Sequence, residues 1–385
     1  MQTIEELICA ALRGESPHWP EESDDELISS LLERSAYHGV QALLHQCLPT
    51  EQGFGLGWPK VVTDACRNAA VGQAMWEMRH QALLTQVFAR LSNSGVRPIL
   101  FKGTALAYDV YPSPFLRTRG DTDFIIPSEA RDKVCEALES LGFTCWLGER
   151  GEFVSNTADY SRSEPVTGSH DLDVHWRVSN SYILSKLFSY EDLRCEARPL
   201  PTLGSDVLGA GPVHALLIAC MHRAGHKQCP YIVDYVVHYG GDRLIWLYDI
   251  HLLLGALTPS QYETFLELAE RTGLAGICLE GIEQARACFH SVVPETVCEA
   301  LAHLGPADAV SRYLNGSVMY QYYANFLAIE GAKNKRRYVM QLLFPPAAYM
   351  QQMYPQVKLN WLPWLYLRRA VIESFNRLGR TIAEN

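Results

Sequence analysis

The chain has 385 residues, 48% of them hydrophobic, which is enough to bury the core of one large domain or of two smaller ones. Its formal net charge of -10 argues against non-specific binding along nucleic acid, although a local basic groove stays open as an alternative. Its 11 cysteines without a CxxC pair, and the lack of a secretory signal or an apolar stretch of about 18 residues, predict a cytoplasmic protein with reduced thiols and no membrane span.

Residues 1–95 have the apolar spacing of helices. Apolar side chains recur at intervals of three and four residues over 24–48 and 61–91, which places them on one face of a helix. Gly95 follows the second run, and glycine commonly ends a helix because it adopts the left-handed conformation at little cost. We therefore predict an N-terminal helical segment over 1–95.

The period changes to that of strands in the middle of the chain. Predicted strands cover 96–101, 122–126 and 171–178, the first two as short apolar runs and the third by strict alternation. A helix over 128–141, ended by Gly142, lies between the second and third strands. The order strand, helix, strand, helix, strand predicts a small mixed β-sheet in an α/β core over 96–200.

The C-terminal half returns to helical spacing after two stretches, 162–169 and 198–212, whose polar, proline and glycine residues predict loops. Pro212 stands at a favoured first-turn position. The predicted helices cover 213–222, 243–256, 260–271, 274–288 and 294–303. The sequence thus predicts an α+β protein whose small sheet is embedded in a largely helical chain, with a C-terminal helical domain over 201–385.

Paired acids stand on one predicted strand. In Asp121-Thr122-Asp123, which follows Gly120, side chains at alternate positions point to the same face of the strand. Two carboxylates held that close favour a divalent cation, and the glycine admits close approach of a phosphate. An acidic turn without a ligand is the alternative interpretation of so short a pattern.

Two further motifs carry polar groups next to predicted strands. Lys102-Gly103-Thr104 follows the first strand and precedes a helix, where backbone N–H groups can hold phosphate; the alternative is an ordinary strand-to-helix turn. In Asp171-Leu172-Asp173-Val174-His175 the two acids and the histidine share one face of a strand. The alternative there is the solvated edge of a sheet.

The order of these motifs resembles that of a known enzyme family. A Lys-Gly turn, an arginine four residues before an Asp-x-Asp, and a later Asp-x-His-Trp occur here as Lys102-Gly103, Arg117 with Asp121-Thr122-Asp123, and Asp173-Val174-His175-Trp176. In this the chain resembles the uncharacterised nucleotidyltransferase family of the DNA polymerase beta-like superfamily, over approximately residues 25–375. Thr104 departs from the superfamily pattern, which usually has serine after the glycine.

The resemblance implies phosphoryl transfer assisted by two metal ions. Asp121 and Asp123 would hold Mg²⁺, or Mn²⁺, together with the nucleotide phosphates. Asp173 would hold the ion nearest the acceptor and take the proton of the acceptor hydroxyl. Asp171 remains an alternative third ligand, although the match to Asp-x-His-Trp favours Asp173.

The resemblance also implies a set of nucleotide-binding residues. Gly103, Thr104 and Gly120 would lie against the triphosphate, the first two through backbone N–H and hydroxyl groups. Lys102 and Arg117 would neutralise phosphate charge, or alternatively each would tie down an acid of the site.

A second constellation lies in the helical half. His222 and His226 are four residues apart, on one face of a predicted helix, and Asp249 lies on the next helix. Two imidazoles and an acid suit a zinc hydrolase. Two other interpretations stay open. In one, the two histidines hydrogen-bond to Asp249. In the other, His222, His226 and Asp249 line the nucleotide or acceptor pocket together with His175.

These motifs predict an Mg²⁺-dependent enzyme that moves a nucleoside monophosphate from an NTP, ATP by default, to a hydroxyl with release of pyrophosphate. The acidic chain fits a small-molecule, peptide or protein acceptor better than long nucleic acid. One basic cluster is either a solvated helix start or a site for an anionic acceptor: Lys333, Lys335, Arg336 and Arg337. A non-catalytic nucleotide-binding or protein-interaction module on the same fold is the alternative function.

Overall fold

Helices and short strands alternate along the chain. A computed structural model of the protein describes residues 3–20, 25–48, 57–227, 231–233, 236–238, 241–304, 309–354, 356–357 and 362–369. The strands are β1 (Ile99–Leu100), β2 (Asp121–Ile125), β3 (Thr144–Leu147), β4 (Thr157–Glu164), β5 (Gly168–His175), β6 (Arg198–Pro199), β7 (Leu208–Gly209), β8 (Tyr231–Val233) and β9 (Val236–His238).

The helices, numbered over the same residues, form the larger part of the fold. They are α1 (Ile4–Leu12), α2 (Asp25–His38), α3 (Gln41–Cys47), α4 (Lys60–Asn93), α5 (Lys102–Asp109), α6 (Arg131–Ser140), α7 (Tyr190–Cys195), α8 (Pro212–His226), α9 (Leu244–Ala256), α10 (Pro259–Thr272), α11 (Ala275–Phe289), α12 (Glu295–Leu304), α13 (Ala309–Leu314), α14 (Val318–Ala328), α15 (Ala332–Leu343) and α16 (Ala347–Met353). No helix among the described residues is long and apolar enough to cross a membrane.

A mixed sheet lies at the centre of the fold, in the order β3-β4-β5-β2-β1-β7-β6. The pairs β2·β5 and β1·β7 are parallel, whereas β1·β2, β3·β4, β4·β5 and β6·β7 are antiparallel. Because the sheet is mixed and most of the chain is helical, the predicted α+β class is confirmed.

Four strands of this sheet were not predicted, and both predicted loops contain strand residues: β6 and β7 lie within the segment 198–212. β3 and β4 lie between the helix α6 and β5, and most of the segment 162–169 pairs within the β4·β5 hairpin rather than forming a loop. This end of the hairpin is polar on both faces, with the Ser161 and Ser169 hydroxyls hydrogen-bonded at 2.8 Å. Because the antiparallel ladder stabilises this end, the hairpin needs no buried face there. Its sequence therefore lacks the apolar alternation that marks a half-buried strand.

The sheet packs against helices on both faces. One face, with Leu100 and Phe124, shares a core with α4 and α6. The other face, with Ile99 and Ile125, joins a larger core formed by the N-terminal helices and by α8 to α13. Segments from all three predicted domains therefore share one core, while the boundaries of those domains stay predictions.

Glycines end several helices. Gly95 and Gly142 follow α4 and α6 with φ angles of 74° and 80°, which confirms both predicted ends. The predicted helix over 24–48 is wrong as a continuous element, because Gly39, with φ of 70°, separates α2 from α3. Its first residue, Asp24, lies outside the described residues. A Cβ at Gly39 would lie 2.9 Å from Nη2 of Arg243, so the glycine also makes room for that side chain.

The last residue of α2, His38, predicts a pH dependence of stability. It is buried, and its Nδ1 accepts a hydrogen bond from the backbone N–H of Leu244 at 3.1 Å. Burial, followed by the charges of Arg34 and Arg243, lowers its pKa to about 3. Since the unfolded chain binds the proton below a pKa of about 6.5, the stability that the neutral ring contributes is present above that pH and lost as pH falls.

We expect this group to lower the free energy of unfolding by about 2 kcal/mol between pH 7 and pH 5. Urea unfolding of the wild type and of His38→Gln at both pH values measures the effect, because the other titrating groups cancel in the difference. The variant should lose less stability on acidification than the wild type. Equal losses would show that His38 is not held neutral.

Candidate active site

Strand register places three carboxylates in one row across the sheet. Asp123 on β2 lies opposite Asp173 on β5, and Asp173 lies opposite Asp159 on β4. Residues in register on neighbouring strands project from the same face, here the face that carries Ile125 toward the helical half. The apolar packing of that face ends at Ile125, so the acids that precede it border a cavity between the sheet and the helices.

Two acids of this row and a histidine form the one group among the described residues with the spacing of metal ligands. One ligand atom from each of Asp123, Asp173 and His175 lies within 4.8 Å of the others. The Nε2 atom of His175 is 2.9 Å from Oδ1 of Asp123, and the ammonium of Lys102 donates to the same oxygen at 2.5 Å. Asp121 is outside this group, at the rim of the cavity, so its role as a metal ligand stays a prediction.

Burial and the crowding of like charges change the pKa values of the acids. Burial and the charges of Asp123 and Asp121 raise the pKa of Asp173 to about 8. The cavity walls limit the hydration of Asp121 and Asp159, and with the charge of Asp123 they raise the pKa of each to about 6. Burial alone would raise the pKa of Asp123 too, but Lys102 and His175 hold it well below its usual range. Without a cation, the row therefore resists full ionisation.

The turn between β1 and α5 points one cation into this cluster. Lys102 has a φ of 59°, in the left-handed region that non-glycine residues rarely adopt, and it is the first residue of α5. Burial opposes its charge, yet Asp123 holds the pKa of Lys102 above its usual value. Gly103 follows it, lines the cavity and leaves the helix N-terminus accessible.

The cavity collects most of the residues that the sequence predicted for the site. Its volume is 520 Å³, within the range of small-molecule sites. The predicted residues that line it are Lys102, Gly103, Arg117, Gly120, Asp121, Asp123, Asp173, His175, His222, His226 and Asp249. Asp171 is not among the lining residues and accepts a hydrogen bond from the Ser169 hydroxyl at 2.6 Å, so the geometry separates it from Asp173.

A comparison with protein families agrees with this geometry. The model of the family described as uncharacterised nucleotidyltransferase matches residues 24–290, well over half of the chain. The chain belongs to this family. Among curated proteins, none matches the chain significantly. The match ends at residue 290, whereas the sequence resemblance extended to about residue 375. Membership of a nucleotidyltransferase family implies an NTP substrate.

Thr104 of this nucleotidyltransferase does not reach the cavity, so the predicted contact of its hydroxyl with phosphate is not what the structure shows. The side chain is buried, and its Oγ1 lies 3.1 Å from the carbonyl oxygen of Asp121 and 2.9 Å from Oγ1 of Thr122. The same oxygen accepts a hydrogen bond from Nε of Arg119 at 2.9 Å. The hydroxyl therefore joins Lys102-Gly103, the turn predicted to hold phosphate (the phosphate turn), to the strand that carries Asp121 and Asp123.

A prediction follows for Thr104→Val, which keeps the shape of the side chain and removes the hydroxyl. We expect the free energy of unfolding to fall by about 1–3 kcal/mol, because Nε of Arg119 would be left buried without its acceptor. Thr104→Ser keeps the oxygen and should lose much less. Urea unfolding measures both; an unchanged stability together with a raised KM for the NTP would instead support the phosphate contact.

Arg117 ties down an acid, which is the alternative that the sequence left open. Its Nε and Nη2 donate to the carboxylate of Asp249 at 2.8 and 2.7 Å, and the hydroxyl of Tyr111 donates to the same carboxylate at 2.7 Å. All three side chains are buried. This bidentate pair joins the loop before β2 to α9, and Lys102 likewise binds Asp123.

The histidines of α8 do not bind Asp249, because that carboxylate is occupied by Arg117 and Tyr111. Neither the zinc site nor the predicted histidine–aspartate hydrogen bonds are present among the described residues. The rings of His222 and His226 lie 4.4 Å apart, and Trp246 meets His222 edge-on at 5.6 Å. Restricted hydration lowers the pKa of both imidazoles, so they face the cavity as neutral groups.

Sequence reasoning missed several residues of the site. Asp159 completes the acidic row, but its strand has no apolar alternation on which a prediction could rest. Arg119 stands two residues after Arg117 and binds Glu77 on α4 at 2.7 Å, with both side chains buried. Glu77 lies on the buried face of α4 together with Ala70, His80 and Leu84, and an acid at such a core position is the sequence signal that could have identified it.

The basic cluster lies in the first turns of α15, where Arg337 pairs with Glu152 at 2.8 Å.

Proposed function

We propose that this protein transfers a nucleoside monophosphate from an NTP to a hydroxyl group in a reaction that depends on Mg²⁺, with ATP as the default donor. The observation that carries the proposal is the group Asp123, Asp173 and His175, with ligand atoms within 4.8 Å, beside the Lys102 turn. Family membership supports the general activity, and the geometry supports where it occurs.

The donor set fits a divalent cation. Carboxylate oxygens are the ligands that Mg²⁺ and Mn²⁺ prefer, and one imidazole is tolerated better by Mn²⁺. Asp123 and Asp173 supply the oxygens and His175 the nitrogen, with Asp121 at the rim as a further oxygen ligand. Burial and then the neighbouring carboxylates raise the pKa of Asp173, as expected for acids that lack a counter-cation. A bound cation would neutralise the triphosphate and lower the pKa of the acceptor hydroxyl.

The chain's own residues account for the remaining steps. The helix N-terminus at Gly103 and the ammonium of Lys102 bind phosphate oxygens, and Lys102 leaves Asp123 to do so. A carboxylate oxygen of Asp173 accepts the proton of the acceptor hydroxyl. The hydroxyl oxygen then forms a bond to the α-phosphorus as the bond from that phosphorus to the bridging oxygen breaks. Pyrophosphate leaves with the electron pair.

The net charge of the protein and the size of the cavity favour one class of acceptor. The net charge of -10 disfavours long nucleic acid, which would need an extended positive surface for counterion release. A small molecule, a peptide or a protein hydroxyl fits a cavity of 520 Å³ that opens beside the acidic row. We place the enzyme in the cytoplasm on the basis of its sequence.

The test is incubation of the purified protein with each α-labelled NTP, Mg²⁺ or Mn²⁺, and a panel of hydroxyl acceptors, with pyrophosphate release as the readout. We expect metal-dependent release that stops in Asp123→Asn. Release that persists in Asp123→Asn and in Asp173→Asn would place the reaction elsewhere. Binding of an NTP without turnover across the panel would favour a non-catalytic nucleotide-binding module.

A further inference from the structure

The helical end of the cavity holds a buried guanidinium whose charge is not balanced by a carboxylate of the described residues. Arg243 precedes α9, is 6% exposed and lines the cavity. Its Nε donates to the backbone carbonyl of Tyr37 at 2.6 Å, and no ion pair forms within the described part of the chain. Two other buried arginines differ, since Arg117 pairs with Asp249 and Arg223 with Asp242.

A buried charge without a counter-charge is unfavourable, so we expect the guanidinium of Arg243 to have a partner outside the described chain. Burial lowers the pKa of Arg243, and the nearby charge of Arg117 adds to the effect. Gly39 lets Nη2 pack close to the turn between α2 and α3, where a Cβ would lie only 2.9 Å away. An oxyanion that enters the cavity would supply the missing negative charge.

Aromatic rings surround this guanidinium. The Cζ of Arg243 lies 4.0 Å from the ring centre of Tyr231 and 5.5 Å from that of Trp246. Both rings line the cavity, with the neutral imidazole of His222 edge-on to Trp246. This end therefore offers one cation among flat apolar and neutral surfaces, a combination that suits an anionic group attached to a ring.

The position of this end separates it from the phosphate turn. Trp246 and Asp249 are three residues apart on α9, on the same side of the helix. Asp249 holds Arg117, whose Nη2 would lie 3.7 Å from a Cβ at Gly103. The order along the cavity is thus the phosphate turn, the Arg117–Asp249 pair, and then Trp246 with Arg243.

We propose that Arg243, Trp246 and Tyr231 form an anion-binding subsite for the acceptor, which therefore carries a carboxylate or phosphate group on a ring-shaped or flat body. This inference rests on the proposed nucleotide transfer and adds the chemical class of its second substrate. The guanidinium binds the oxyanion, the rings cover the body of the acceptor, and its hydroxyl extends toward Asp173.

The experiment is calorimetric titration of the metal-free protein with phenyl phosphate and with benzoate, two probes that combine a ring with one oxyanion. We expect at least one of them to bind, and Arg243→Met to weaken that binding about tenfold or more. Arg67→Met, which removes an exposed arginine of α4 that does not line the cavity, is the matched control and should leave binding unchanged. Equal binding by Arg243→Met and the wild type would overturn the subsite.

Two further measurements keep the test decisive if Arg243→Met does not fold. The wild type should bind its anionic probe at least about tenfold more tightly than benzyl alcohol, and Arg243→Lys should retain part of the difference. A wild type that does not distinguish the anion from the alcohol would refute the proposal.

Saturating MgATP distinguishes the acceptor from the donor as the source of the anion. Binding of the probe that persists beside MgATP supports an acceptor subsite, whereas competition would assign the site to the nucleotide and overturn the proposal. Probe binding needs no turnover. A protein that binds the probe through Arg243 and transfers no nucleotide would refute the proposed reaction alone, and transfer that does not depend on Arg243 would refute the subsite alone.

Discussion

We expect Asp173→Asn to lower the rate of nucleotide transfer by about 1,000-fold or more. A loss of this size corresponds to about 4 kcal/mol of lost transition-state stabilisation. The carboxylate of Asp173 belongs to the group with ligand atoms within 4.8 Å, and an amide there is a weaker ligand and cannot accept the proton of the acceptor. Pyrophosphate release under single-turnover conditions measures the effect on chemistry separately from product release.

The matched control for this prediction is Asp171→Asn. Asp171 is on the same strand, two residues earlier, but it binds the Ser169 hydroxyl and does not line the cavity. Its variant should transfer nucleotide within about twofold of the wild-type rate, because surface substitutions away from a site change little. Equal losses in the two variants would show that strand integrity, and not the ligand set, controls the rate.

Stability distinguishes a damaged fold from a lost ligand in Asp173→Asn. Asn removes an acid whose pKa is raised by burial and by its neighbours, and with it the cost of holding that acid in the row, so the metal-free variant should unfold at no lower temperature than the wild type. Mn²⁺ should raise the unfolding temperature of the wild type, because a ligand that binds the native state stabilises it, and should do so less in the variant. A destabilised metal-free variant would contradict this account.

The acids of the site were predictable where their strands are half-buried. In two predicted strands, polar side chains stand at alternate positions next to apolar residues, so the sequence indicates which of them share a strand face. These residues are Asp121, Asp123, Asp173 and His175. Asp159 lies on β4, whose face is polar beyond the core, and only strand pairing places it beside Asp173. Register between distant strands is set by packing and turn geometry, which single-strand patterns do not contain.

The partners of the basic residues were less predictable than their location. Lys102 and Arg117 were placed near the acids from their motifs, but which acid each binds depends on α9 and β2 meeting in space. Thr104 was expected to face phosphate, yet the buried Arg119 and Thr122 take its hydroxyl. Hydrogen-bond partners across more than one element follow from tertiary packing, and a motif fixes only the local turn.

Glu77→Ala should lower the free energy of unfolding by about 3–5 kcal/mol, the cost of leaving a buried charge without its partner. The carboxylate of Glu77 binds Arg119 at 2.7 Å with side-chain exposures of 6% and 2%, and the hydroxyl of Tyr108 donates to it at 2.6 Å. Arg119 in turn holds Thr104 and the carbonyl of Arg117. Urea unfolding measures the loss.

Two comparisons show whether that loss comes from the uncompensated guanidinium behind the phosphate turn. Asp64→Ala breaks an exposed ion pair with Lys60 on the same helix and should cost less than about 1 kcal/mol. Combining Glu77→Ala with Arg119→Met removes both charges, so the double variant should be less destabilised than the sum of the single ones. Strict additivity would mean that the two residues stabilise the fold independently, and that the ion pair does not hold the turn in place.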